Sequence, residues 1–142
     1  MRSDFRFFYP LRVRYAEIDG QGIVFNAHYL TYLDVAITEY FRHLGMDYKQ
    51  LASEGKMDMA LVKTTLEFRS PAFFDDILDI GVRVSNMGNK SYTVDFEVYK
   101  ESSDILVLKA QTIYVNYNPK TRKAEPLPSF FRSAVESFET LS

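Results

Sequence analysis

Residues 15–45 read YAEIDGQGIVFNAHYLTYLDVAITEYFRHLG, and the second half of this stretch decides the fold. Leu30, Leu33, Ile37, Tyr40, Phe41 and Leu44 recur at steps of three and four, which on a helix places them on one apolar stripe. Gly45 supplies the stop. Just upstream, Asp19-Gly20-Gln21-Gly22 is a flexible acidic turn, and Asn26 is the N-cap candidate, since its side-chain oxygen can accept from an orphan backbone N–H. The spacing predicts a helix of about 18 residues, roughly 27 Å long at about 1.5 Å per residue. A carboxylate therefore precedes a helix N-terminus by a few residues.

Outward from that helix the period changes from 3.6 to 2. Before it, Phe7, Tyr9, Leu11, Val13 and Tyr15 alternate with Arg12 and Arg14, the pattern of a half-buried strand. Pro10 cannot donate to a ladder, so this strand belongs at an edge or begins after it. After it, Asp47 is suited to cap a short second helix ended by Gly55. Four strands then follow with only turns between them. Val62, Thr64, Leu66 and Phe68 share one face of the first, Leu78, Ile80, Val82 and Val84 of the second, and Tyr92, Val94, Phe96 and Val98 of the third. The fourth, Ile105 to Tyr117, is apolar on both faces in part, as suits a central strand or one covered by another subunit. Pro126 and Pro128 introduce an amphipathic C-terminal helix carrying Phe130, Phe131, Ala134, Val135 and Phe138. Strands without crossover helices make an antiparallel sheet. The expected architecture is α+β: about five antiparallel strands curled around one long central helix.

Composition narrows the function. With 142 residues, 46% of them hydrophobic, the chain suits a single domain with a core. Its 17 basic and 19 acidic side chains, net −2, provide no field to gather nucleic acid. No run of eighteen apolar residues suggests a membrane span, and Asp4, Arg6 and Pro10 interrupt the opening, so a cytoplasmic protein is expected. Without cysteine there is neither a disulfide nor a thiolate nucleophile, and only His28 and His43 carry imidazoles. No metal site is expected, because Asp75, Asp76 and Asp79 read better as caps of a turn entering a strand.

The order of elements and the wording of residues 15–29 resemble the hotdog-fold acyl-CoA thioesterases, in the branch typified by 4-hydroxybenzoyl-CoA thioesterase. The resemblance runs through Tyr15, Asp19, Gly22, Ile23-Val24-Phe25 and Tyr29, then Pro71-Ala72 with Asp76, Lys90-Ser91-Tyr92, and Leu127-Pro128. One position departs: where a sister branch carries His directly after the aromatic, this chain has Asn26, and that role does not pass to His28. The resemblance implies hydrolysis of acyl-CoA thioesters in a homodimer or homotetramer with sites between subunits. Coenzyme A is then part of the substrate, and no other cofactor is expected.

Such a reaction needs an attacking group and a holder for the negative charge on the carbonyl oxygen. By the resemblance, Asp19 is the catalytic carboxylate; beside a helix N-terminus it is expected to be ionised at neutral pH, and it serves as nucleophile or as general base. The backbone N–H of Asn26 is the oxyanion donor, backed by the helix macrodipole. Phe25 and Tyr29 are favoured as substrate contacts for their place near Asp19, over Tyr32, Phe68, Phe73 and Phe74. Lys90 and Arg122 are the cations offered to coenzyme A phosphates, and Glu39 is the second-choice carboxylate. The alternative function is an acyl-CoA binder of the same fold that performs no hydrolysis.

Overall fold

A computed structural model describes residues 1–140. Its elements are β1 (Phe8–Arg12), α1 (His28–His43), α2 (Tyr48–Ser53), β2 (Met59–Phe68), β3 (Ile77–Met87), β4 (Ser91–Lys100), β5 (Leu106–Asn118), β6 (Lys123–Ala124) and α3 (Ser129–Glu139). Short 3-10 turns occupy Arg2–Asp4 and Tyr15–Glu17, the second of them ending the first strand sooner than alternation predicts. The sheet is antiparallel in the order β1-β3-β4-β5-β2, with two-residue β6 paired to β5. Pro10 lies on edge strand β1, where its missing N–H interrupts no central ladder.

The sheet curls around α1 as expected. Leu78, Ile80, Val82 and Val84 of β3 and Val94, Phe96 and Val98 of β4 are fully buried. Each such side chain contributes about 1.5–3 kcal/mol relative to exposure. The helix stripe differs from its prediction. Tyr29, Tyr32, Leu33, Ala36, Ile37, Tyr40 and Phe41 are buried, whereas Leu30 is exposed. Tyrosine and alanine carry the inward face here, because tyrosine buries its ring while its hydroxyl finds a partner. Tyr40 donates to Glu139 Oε2 at 2.5 Å, joining α1 to α3. Phe131 of α3 packs on Tyr92 and Phe41 with ring centroids 4.9 and 5.8 Å apart.

β2 and β3 follow one another in the chain but are not neighbours in the sheet. Residues 69–76 cross between them, and this crossing receives the acidic turn. Val24 N donates to Ala72 O at 2.9 Å, and Ile23 forms a β-bridge with Phe73. Asp76 caps the crossing as predicted, accepting from Phe73 N at 2.9 Å. The other two acids of that trio go elsewhere, Asp75 to Arg12 and Asp79 to Arg2.

Candidate active site

Asp19 is held at the tip of a small hairpin. Ile18 and Val24 pair across it, Asp19 N donates to Ile23 O at 2.9 Å, and Gly22 N returns to Asp19 O at 2.9 Å. Gly22 has φ +77, a left-handed conformation that glycine adopts without penalty. The Asp19 side chain is half-buried, and its Oδ1 accepts from Gln21 N at 2.8 Å. Among the described residues Oδ2 takes no partner, so one carboxylate oxygen is oriented and the other is free.

The helix N-terminus next to it is open. The N-cap position falls on Ala27, not Asn26, and no side chain caps the helix. The chain enters α1 through tight turns, His28 N to Phe25 O at 2.9 Å and Tyr29 N to Asn26 O at 3.3 Å, which shifts Asn26 out of the capping place. Among the described residues the backbone N–H of Asn26 has no acceptor. Asp19, Asn26 and Tyr29 line one cleft of about 500 Å³, together with Ile23, Val24, Phe68 and Arg69. Tyr29 and Phe68 form its aromatic wall, ring centroids 5.9 Å apart. Burial pushes the Tyr29 phenol up to about 12, so the wall is neutral at physiological pH. A carboxylate and an unpaired amide in one concave space, against an aromatic surface, suit attack on a carbonyl carbon.

Four of the candidate residues lie away from the cleft within one chain. Phe25 does not line the cleft: adjacent residues in extended chain point oppositely, Val24 takes the inward direction, and the exposed Phe25 ring meets His28 edge-on at 5.9 Å. Lys90 and Arg122 lie at the other end of the sheet, beside Asn116 and Asn118, whose backbones they join at 2.9 and 2.8 Å. A strand of β3's length spans roughly 30 Å, so within one chain neither cation reaches Asp19. Glu39 pairs with Arg42 on the outer side of α1 and is not part of the cleft.

Composition and period gave no sign of the buried acid two residues before Asp19. Glu17 is 4% exposed and fully engaged. Its Oε1 accepts from Arg14 N and from the Tyr32 hydroxyl, both at 2.8 Å, and its Oε2 from Arg14 Nη2 at 2.6 Å and Nε at 3.2 Å. Burial acts to raise its proton affinity, but these donors outweigh it and hold the carboxyl below the usual range. Tyr32 lies fifteen residues away in sequence and reads there as a core or pocket aromatic, not as a partner of Glu17. A separate cavity on the outer face of the sheet, about 380 Å³, presents Arg83 already paired with Asp95 and does not include the Asp19 hairpin.

A curled antiparallel sheet around one helix, with an acid beside the open helix N-terminus, is the hotdog arrangement found in acyl-CoA thioesterases. A model of the Thioesterase-like superfamily matches residues 13–135, and the chain belongs to that family. It is 29% identical over 133 residues to the acyl-CoA thioester hydrolase YbgC of Escherichia coli, covering 94% of this chain and 96% of that one. Among solved structures, the 1,4-dihydroxy-2-naphthoyl-CoA thioesterase of Synechocystis superposes with a TM-score of 0.83 at 26% identity, covering 91% and 94% of the two chains. A gentisyl-coenzyme A thioesterase gives a TM-score of 0.81 at 25% identity, covering 91% and 99%.

Proposed function

We propose that this chain hydrolyses acyl-CoA thioesters to the free acid and coenzyme A, with Asp19 driving the attack and the N–H of Asn26 holding the oxyanion. The observation that carries the reading is that Asp19, with one carboxylate oxygen free among the described residues, and Asn26, with its backbone N–H unbonded among them, line a single cleft. As general base, Asp19 takes a proton from water while the oxygen bonds to the thioester carbon; the C–S bond then breaks and the thiolate leaves, to be protonated by solvent. As nucleophile, it forms a mixed anhydride that water cleaves in a second step. Both routes place the developing negative charge on the same carbonyl oxygen, and a single well-placed donor to it is worth about 10²–10³ in rate. The names of the relatives support coenzyme A as the thiol carrier.

The working unit in this reading is a homodimer, or a tetramer built from it, joined along β2. β2 is a ten-residue edge strand on which Leu61, Val62 and Phe68 are at least half exposed. An apolar open edge of this kind is suited to a second copy. Twofold antiparallel pairing of β2 would set the Met59 end of one strand against the Phe68 end of the other. Met59 is in register with Asn116, whose N–H donates to Lys90 O. The partner subunit's Lys90 would therefore stand by the Asp19 cleft, which supports its assignment to coenzyme A despite the distance within one chain. A thiol-release assay over aryl and straight-chain acyl-CoAs tests the activity. Release from at least one class is expected; tight binding of several with release from none would favour the non-hydrolysing alternative.

A further inference from the structure

Glu17 carries a role that the chemistry above leaves unassigned. A carboxylate that is 4% exposed is costly to bury, and an apolar side chain of the same volume would serve packing as well or better. It is retained here with four donors, and their sources show what it joins. Two come from the Arg14 side chain and one from Arg14 N, at the entry to the acidic hairpin. The fourth is the hydroxyl of Tyr32, one turn inside α1 and 1% exposed. The Glu17 backbone carbonyl meanwhile accepts from Phe25 N at 2.9 Å, closing the hairpin immediately before Asn26. Residue 17 is thus bonded at once to Arg14 in the segment that leads into Asp19, to the helix whose N-terminus lies open, and to the residue preceding the oxyanion donor. Glu17 itself does not line the cleft.

We infer that Glu17 is a positioning residue for hydrolysis: through its bond to Tyr32 it clamps the Asp19 hairpin onto α1 and so sets the separation of the Asp19 carboxylate from the Asn26 N–H. The inference rests on the assignment of Asp19 and Asn26 made above. The second bond of the hairpin neck, Phe25 N to Glu17 O, cannot fix that separation alone, because it ties the hairpin to itself and not to the helix axis. Among the described residues, the hydrogen bond that carries the hairpin to the second turn of α1 is this side-chain link.

The physical consequence is a loss in turnover without a matching loss in binding. A misplacement of about 1 Å can cost about 100-fold in a reaction that depends on near-attack geometry. Tyr32→Phe keeps the ring in the core and removes only the clamp. It should lower kcat about 10- to 100-fold while KM for the acyl-CoA stays within about threefold. Glu17→Ala should lose at least as much, and Glu17→Gln, which still offers an oxygen to Tyr32, should recover several-fold over alanine. Tyr40→Phe is the control. It removes a buried tyrosine–carboxylate bond of the same kind, to Glu139, two turns further along the same helix. Its melting temperature should fall as far as that of Tyr32→Phe, and its kcat should not change.

A kcat for Tyr32→Phe and Glu17→Ala equal to that of Tyr40→Phe, with Asp19→Ala inactive, would overturn the positioning role and leave the catalytic assignment standing. Full activity in Asp19→Ala would instead remove the assignment on which the inference rests.

Discussion

Replacing Gly81 by alanine should destabilise the protein, although alanine is ordinarily the better strand residue. Gly81 lies in β3 beneath two aromatic rings, and a Cβ there would stand 2.9 Å from Phe5 Cγ, 3.0 Å from Phe8 Cε1 and 3.1 Å from Phe5 Cδ1. Carbon atoms prefer about 3.5–4.0 Å, so the overlap is about half an ångström or more at three atoms of rigid rings. If the rings shift, the cost is that of an overpacked site, about 1–3 kcal/mol. If Phe5, only 8% exposed, swings into solvent instead, about 1.5–3 kcal/mol of burial is lost. Against either stands a gain of about 0.4–1 kcal/mol from restricting the unfolded chain. The net loss is about 1–2 kcal/mol, or roughly 3–6 °C in Tm for a chain of this size. Urea titration of Gly81→Ala, Phe5→Ala and the double variant provides the assay. With Phe5 truncated most of the clash is gone, so the two losses should fall short of additivity by about 1 kcal/mol or more. Additive losses, or wild-type stability in Gly81→Ala, would refute the close approach.

Two further outcomes follow from charge and from the open edge. Burial raises the Glu139 carboxyl above its ordinary value and outweighs the hydrogen bond from Tyr40, so the folded protein favours the protonated acid. The stability this contributes is fully present below the unfolded value of 4.5 and is lost as pH rises through the folded one. Glu139→Gln should therefore gain in Tm relative to the parent as pH goes from about 4 to about 7, and a pH-independent difference would contradict the shift. Val62→Lys places a charge on the exposed edge of β2 and should abolish the proposed pairing of copies, leaving a monomer in sedimentation with the far-ultraviolet circular dichroism unchanged. An assembly of parental mass would mean that the copies meet elsewhere.

Much of the scaffold is legible in local pattern because two periods describe it. The alternation of Leu78, Ile80, Val82 and Val84, and of Tyr92, Val94, Phe96 and Val98, marks strands that are buried on that face without exception. The helix and its end at Gly45 follow from a 3.6-residue repeat, and Asp47 caps α2 as its residue type suggests, accepting from Gln50 N at 3.2 Å. What local pattern could not contain is pairing at a distance. The order of strands, which sends residues 69–76 under the acidic hairpin, depends on β2 pairing with β5, and no turn residue records that. The same holds for Glu17 and Tyr32, whose contact exists only once the hairpin is folded back on α1. Asn26 misleads for a related reason. Its residue type suits a cap, but the turns at Phe25 and Asn26 move the capping place one residue on and leave its amide open. Lys90 and Arg122 lie at the far end of the sheet from the cleft, a separation that no local pattern records.

Hydrolysis as proposed depends most directly on Asp19, and the decisive measurement is steady-state turnover by Asp19→Asn set beside its affinity for a non-hydrolysable acyl-CoA analogue. Asparagine preserves size and the bond from Gln21 N, so the fold and the cleft should survive. The predicted result is a kcat at least about 1,000-fold below the parent, with the dissociation constant of the analogue within about threefold. Turnover comparable with the parent at unchanged affinity would show that another group activates the attack.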